Sequence, residues 1–238
     1  MKTGMEFLKG VGAVITDTHV VYTSGLHGIM YVNKDALYPQ PKATWEICRE
    51  IAADFVEDDI EAVVGPAVGG VILSHVVAHI LTNLTGRRVC GVYAERAESS
   101  ILTPKESGYC TINGSPVTLH PGDEVVVKRS HFVIKRGQDK HVAGRRVLGV
   151  EDVLTTGGSA KRALDAARAC GGNVVGLSVI NSGGMTAGEM GVPKLAGVIN
   201  YKLTTWTAEE CKASGPCAHG VPVNTAVGHG AQFLATKT

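Results

Sequence analysis

The sequence predicts an α/β protein built on a doubly wound parallel sheet, with a β-hairpin insertion. Three observations predict it. Short apolar runs that read as buried strands alternate with runs patterned at helical spacing. Glycine-rich turns follow the carboxyl ends of two of those strands. One stretch, Ser99 to Gly137, breaks the alternation with hairpin signals.

The elements follow in order. Thr44 to Val56 is expected to be a helix, with Cys48, Ile51, Ala52 and Phe55 on one apolar stripe and Glu46, Arg49, Glu50 and Asp54 elsewhere. "IEAVVG", Ile60 to Gly65, is a short apolar run closed by glycine, hence a buried strand. "PAVGG" follows it, and then the apolar helix Val71 to Leu84. "RRVCGVYAE" is the next strand. In the insertion, "TINGSPVTL" carries the hairpin dipeptide Asn113-Gly114, "HPGDEVVVKR" turns at Pro121-Gly122, and "FVIKRG" ends the segment. The alternation then resumes with the strand "RRVLGVE". Ala160, Ala163, Leu164, Ala167 and Cys170 form a helical stripe closed by Gly171-Gly172. "NVVGLSVIN" and "KLAGVINY" are further strands. Repeated strand–helix units imply parallel pairing, and ligands in such folds lie beyond the strands' carboxyl ends.

Bulk properties narrow the function. A chain of 238 residues can bury a full core. A formal charge of +1, from 23 basic and 22 acidic residues, gives no reason to expect nucleic acid or an anionic membrane as partner. Met1 to Gly12 has no apolar run of signal-peptide length, and Val71 to Leu84 is too short and polar to span a bilayer. Six scattered cysteines read as reduced cytoplasmic thiols.

"VLGVEDVLTTGGSAKRALDAA", Val147 to Ala167, carries the chemistry. It reads as a strand, then two acids, then a loop of Thr155, Thr156, Gly157, Gly158 and Ser159, then a helix. Unpaired N–H groups and the helix dipole face an anion at such a loop. The two glycines allow close backbone approach and positive φ, so a Cβ at Gly157 is expected to intrude on the anion. Ser159 is the expected N-cap. Glu151 and Asp152 start at the rim, where carboxylates accept from hydroxyls. Acids beside an anion loop call for a ligand with both hydroxyls and phosphate, such as a sugar phosphate. The alternative, a capped surface turn with two solvated acids, leaves the agreement of strand, acids, glycines and helix unexplained. The loop is neither a Walker loop nor G-x-G-x-x-G.

This stretch resembles the phosphoribosyl pyrophosphate (PRPP) signature of type I phosphoribosyltransferases, above all the orotate branch. "YTSGLHGIMYVNKDAL" is similar to that branch's amino-terminal stretch, "VVGPAVGG" to its pyrophosphate loop, and "YAER" to the strand end where its mobile catalytic loop begins. The resemblance implies one phosphoribosyltransferase domain with a small hood at about residues 13–38 and an insertion at about 99–137. It implies that Glu151 and Asp152 hold the ribose hydroxyls, that Thr155 to Ser159 (with Thr156, Gly157 and Gly158) hold the 5-phosphate, that Val153 and Leu154 also touch PRPP, and that Ala67, Val68, Gly69 and Gly70 hold pyrophosphate. In that family this loop often contains a non-proline cis peptide. It also implies a base site touching Ser24, Gly25 and Thr155, Mg²⁺ as cofactor, a cytoplasmic homodimer, and transfer of the 5-phosphoribosyl group from PRPP to a base, foremost orotate. A PRPP-binding regulatory protein and a transferase for another base are the alternatives.

The chain departs from the family pattern in three places. Val68 and Gly69 stand where orotate enzymes carry a lysine. "AERAESSILTPKESG" keeps Arg96 but lacks the following basic loop; Lys135 and Arg136 are the candidates to replace it, with Lys128, Arg129, Lys140 and His141 nearby in sequence. "INSGGM" replaces the arginine expected for orotate's carboxylate, which leaves Asn181 and Ser182 to face a neutral base. Lys34 reads as a surface lysine within reach of a phosphate. No side chain is assigned as a direct metal ligand. Cys211, Cys217 and His219 in "ECKASGPCAHG" lack C-x-x-C spacing and an evident fourth ligand, so they read as free thiols near a turn. His75 and His79 read as packed or interface histidines, His229 as part of an ordered loop, and Trp45 and Trp206 as core or interface residues.

Overall fold

The computed structural model describes residues 4–22, 24–97, 100–102, 107–112, 115–127, 131–202 and 204–235. Its centre is a six-stranded sheet: β1 (Ala62–Pro66), β2 (Cys90–Ala97), β3 (His131–Val133), β4 (Arg146–Val153), β5 (Asn173–Asn181) and β6 (Leu195–Ile199). Their spatial order is β3-β2-β1-β4-β5-β6. All neighbours pair in parallel except the edge strand β3, where Phe132 lies opposite Arg96 in an antiparallel ladder.

The sheet is buried on both faces, which is why its strands read as continuous apolar runs. Val63, Leu148, Val150 and Ile180 pack into one core with helices α1 (Pro41–Ala53) and α2 (Gly69–Thr85). Ala62, Val64, Leu177 and Val179 point the other way, into a second core under α3 (Gly158–Ala169). Helix α1 buries Ile47, Cys48, Ile51 and Ala52 completely. It starts three residues before the expected Thr44, because proline with its preset φ fits the first turn. It ends at Ala53, so the buried Phe55 anchors the loop that follows rather than the helix. Helix α2 closes at Gly86, whose φ of 68° permits the left-handed cap.

In the segment after β2, Gly108–Ile112 pairs antiparallel with Ser115–Leu119, Ile112 lying opposite Ser115. Ser100–Leu102 pairs with Val125–Val127. The turn dipeptide Asn113-Gly114 and the cations Lys128 and Arg129 lie outside the described residues. "FVIKRG" contributes to the central sheet: Phe132 is 5% exposed and belongs to the second core.

Both ends of the chain build the hood. Val14–Ile15 pairs with Tyr31–Val32. His27–Gly28 is the middle of a three-stranded sheet, between Val20–Val21 and Thr205–Trp206. The Asn224 N–H donates to the His19 carbonyl at 2.7 Å, and the His229 N–H to the Val21 carbonyl at 2.8 Å. The resemblance placed the hood in the amino-terminal segment alone; the carboxyl-terminal share escaped because these pairings join residues about two hundred positions apart and leave no periodic signal. Among the described residues, no helix is long and apolar enough to cross a membrane.

Leu148 is fully buried at the centre of β4. Leu148→Ala is expected to lower the unfolding free energy by about 2–5 kcal/mol, the range for a cavity in a tight core. Urea titration measures it, and a loss below about 1 kcal/mol would place the side chain outside a packed core.

Candidate active site

The strand order reverses between β1 and β4, which pair through Val147–Ala62, Leu148–Val63 and Gly149–Val64. Helices α2 and α3 leave from the ends of these strands to opposite faces. A crevice therefore opens beyond their carboxyl ends. Residues 67–69 from β1 and 151–159 from β4 meet across it.

Two adjoining clefts occupy this place, of about 410 and 320 Å³. Lys34, Asp152, Val153, Thr155 and Thr156 line both. The larger adds Ala67, Val68, Gly69, Arg96, Glu151, Leu154, Gly157, Gly158 and Ser159. The smaller, under the hood, adds Tyr22, Ser24, Tyr31, Val32, Gly228 and His229.

The anion loop differs from expectation in its cap. Gly157, with φ of 68°, is the N-cap of α3, and no side chain bonds the first-turn N–H groups from that position. Ser159 lies one residue inside the helix. The helix starts early because glycine alone takes the left-handed turn without strain. The first-turn donors thus remain available to a ligand. A Cβ on Gly157 would meet Met190 Sδ at 2.6 Å, so it would collide with the packing behind the loop rather than with the anion. Beside the loop, the Arg162 guanidinium approaches Gly158 and lies 5.7 Å from the centroid of the Phe132 ring.

Across the crevice, the Ala67–Val68 peptide is cis, and the Val68 side chain is 84% exposed. Gly69 faces the acids: a Cβ there would lie 2.7 Å from Asp152 Oδ2. Gly70 does not line the cleft. A Cβ on it would stand 2.7 Å from Gly65 Cα, so its role is to let α2 start against the end of β1. The Tyr38 hydroxyl donates to the Gly69 carbonyl at 2.8 Å and fixes this corner.

The two acids have different environments, as strand alternation requires. Glu151 is 6% exposed, and burial, reinforced by the adjacent Asp152 charge, pushes its carboxyl well above the ordinary range. Its Oε1 accepts from the Asp152 N–H at 3.0 Å. Asp152 Oδ1 accepts from the Val153 N–H at 2.7 Å, and Oδ2 pairs with Lys34 Nζ at 2.9 Å. Burial alone would lower the Lys34 ammonium's pKa, but the Asp152 charge and hydrogen bond outweigh it and hold it above the usual lysine value. Lys34 is half-exposed and lines both clefts, so the surface lysine stands at the crevice wall.

Other expected residues lie elsewhere. Lys135 and Arg136 line neither cleft, and Arg136 pairs with Glu95 at 2.7 Å on the outward face of β2. Strand alternation sends Arg96 to the opposite face, into the crevice. Gly25, with φ of 81°, shapes the hood turn without lining a cleft. Asn181 is fully buried and spent on the backbone: Oδ1 accepts from the N–H groups of Tyr201 at 2.9 Å and Gly183 at 3.1 Å, and Nδ2 donates to the Tyr201 carbonyl at 3.2 Å. The Ser182 hydroxyl donates to Asn200 at 2.6 Å. Neither residue is available to a base. Sequence reading gave no site role to Tyr22, Tyr31 or His229, which line the smaller cleft. Tyr22 and Tyr31 sit within the quoted hood stretch, but His229 arrives from the far end of the chain. The Tyr22 hydroxyl donates to the Met30 carbonyl at 2.5 Å, and burial pushes its pKa up to about 12.

The buried acid makes a pH prediction. An acid with a raised folded pKa costs stability as pH rises from the unfolded value, about 4.3, through its folded value, because the unfolded chain releases the proton first. Glu151→Gln is expected to remove that cost, so its melting temperature relative to wild type should climb as pH rises above about 4. Parallel melting curves across that range would show that Glu151 is not a raised acid.

Comparison with known proteins agrees with this geometry. The model of the phosphoribosyl transferase domain matches residues 33–189. An orotate phosphoribosyltransferase from Pelotomaculum thermopropionicum is 32% identical over 92% of both chains. Among solved structures, orotate phosphoribosyltransferase from Mycobacterium tuberculosis superposes with a TM-score of 0.52 at 21% identity, covering 83% of this chain and 95% of that one. An adenine phosphoribosyltransferase (APRTase) from Giardia lamblia gives 0.51 at 20% identity, covering 84% and 98%. The structural likenesses show the fold, and the sequence matches carry the lineage: this chain belongs to the phosphoribosyl transferase domain family.

Proposed function

We propose that the chain transfers the 5-phosphoribosyl group of PRPP to orotate, in the making of a pyrimidine nucleotide. One observation carries the reading: an uncapped anion loop and a carboxylate pair share one crevice with a second backbone loop. The larger cleft then takes the ribose phosphate and pyrophosphate, and the smaller takes the base. Relatives named orotate phosphoribosyltransferase support orotate as the acceptor.

The reaction needs no covalent intermediate. The bond from C1 of the ribose to pyrophosphate breaks, pyrophosphate leaves with the bonding electrons, and a base nitrogen bonds C1 and releases its proton. Catalysis is positioning and charge stabilisation. Asp152 and Glu151 accept from the ribose hydroxyls. The N–H groups of residues 158–160 and the hydroxyls of Thr155, Thr156 and Ser159 hold the 5-phosphate. Lys34 and Arg96 face the departing charge. The donor set fits Mg²⁺, since Asp152 and Glu151 offer hard carboxylate oxygens at the cleft wall. When bound, the ion neutralises charge on the diphosphate. A cytoplasmic homodimer belongs to the same reading; exposed Trp45 and Ile72, on adjacent helices, suit a contact between copies.

A second reading, a different acceptor base, rests on one observation. Among the described residues no arginine lines the smaller cleft, and its lysine is already paired with Asp152. Pyrophosphate release from PRPP with orotate, uracil and adenine in turn separates the readings. Release with orotate alone is expected; release only with another base would name that base, and none with any would support PRPP binding without transfer. Asp152→Asn should lower kcat/KM for PRPP about ten- to a hundred-fold, matching the loss of about 1.5–3 kcal/mol for a charged hydrogen bond. Unchanged kinetics would remove Asp152 from the site.

A further inference from the structure

We propose that His19, His27, Cys211 and Cys217 bind one structural Zn²⁺ that staples the hood to the carboxyl-terminal segment. Each offers one ligand atom, and these atoms all lie within 4.8 Å of one another. Cys211 Sγ stands 3.7 Å from His19 Nε2, and Cys217 Sγ stands 3.7 Å from both His19 Nε2 and His27 Nδ1. Tetrahedral zinc with ordinary Zn–S and Zn–N bonds sets sulfur and nitrogen ligands about 3.6 Å apart. His19 Nε2 and His27 Nδ1 are 2.7 Å apart, and coordination would widen this edge to about 3.3 Å.

The surroundings fit a closed structural site. His19, His27 and Cys211 are at most 1% exposed. The His19 Nδ1–H donates to the Val221 carbonyl at 2.8 Å, which leaves the Nε2 lone pair pointing at the cluster. The Cys217 N–H donates to Cys211 Sγ at 3.3 Å and ties the two sulfur-bearing residues together. The His27 ring packs edge-on against Phe233, with centroids 4.8 Å apart. Two thiolates and two neutral imidazoles make the zinc complex electrically neutral, so it can be buried without an uncompensated charge. Two nitrogens and two sulfurs select zinc over harder divalent ions.

The sequence concealed this set because its halves come from opposite ends of the chain: Cys217 is 198 positions from His19. His219, the histidine beside Cys217 in sequence, is exposed and outside the cluster. None of the four ligands lines either cleft, so the proposal stands apart from the transfer reaction. Tyr22 and Ser24 lie between the two histidines, however, so the metal would hold the hood wall of the smaller cleft in place.

The test is elemental analysis of untagged protein purified without metal-affinity steps or chelators. One zinc per chain is expected. Cys217→Ser and His19→Ala should each reduce that content at least several-fold, whereas Cys170→Ser, outside the cluster, should leave it unchanged. If the variants fail to fold, wild-type protein refolded with Co²⁺ still decides. Intense visible bands of a tetrahedral ion with a sulfur-to-cobalt charge-transfer band support the site. Zinc far below one per chain together with a pale octahedral cobalt spectrum overturns it. So does a Cys211–Cys217 disulfide in freshly isolated protein.

Discussion

The parallel pairing of β1 with β4 is the constraint on which the rest depends. Three residue pairs, Ala62–Val147, Val63–Leu148 and Val64–Gly149, set two strands side by side whose following helices go to opposite faces. That divergence opens the crevice and delivers the Ala67–Gly69 turn and the Glu151–Ser159 segment to its walls. The close fit of Gly65 against Gly70 starts α2 hard against the end of β1, and the left-handed turn at Gly157 starts α3. Two separate cores, one on each face, hold the strands in this register.

Electrostatics then divides labour within the crevice. Glu151 is buried and holds its proton more tightly than an ordinary carboxylic acid, whereas Asp152 stays at the cleft wall with Lys34 as its counter-ion. On the proposed reading the Lys34–Asp152 pair neutralises charge within the site. A ligand carrying hydroxyls and phosphates replaces that contact with one of its own: hydroxyls turn to Asp152 and the ammonium turns to phosphate. Such an exchange of partners costs little, because both groups already stand at the wall and Lys34 is half-exposed.

The sheet was legible in the sequence because buried parallel strands are apolar throughout and helices α1 and α3 carry clean stripes. The segment from Val147 to Ser159 was legible for the same reason, with acids and glycines at a strand end. What escaped reading was either alternation or distance. Arg96 and Glu95 are neighbours in sequence but face opposite ways on β2, which separates Arg96 from the outward Arg136. Asn181 looked available at a strand end, yet the carboxyl-terminal chain arriving at Tyr201 consumes its amide. Lys34 and His229 gain their meaning only when the hood closes over the strand ends. The cluster of His19, His27, Cys211 and Cys217 is the extreme case, assembled by pairings that carry no local signature.

The measurement closest to the central claim is calorimetric titration of PRPP with Mg²⁺ into the purified chain, followed by displacement with ribose 5-phosphate. The account predicts one saturable site per chain, with ribose 5-phosphate competing for it through the loop at residues 155–159. Absence of PRPP binding, or binding that ribose 5-phosphate leaves untouched, would contradict the assignment of this crevice to a phosphorylated sugar.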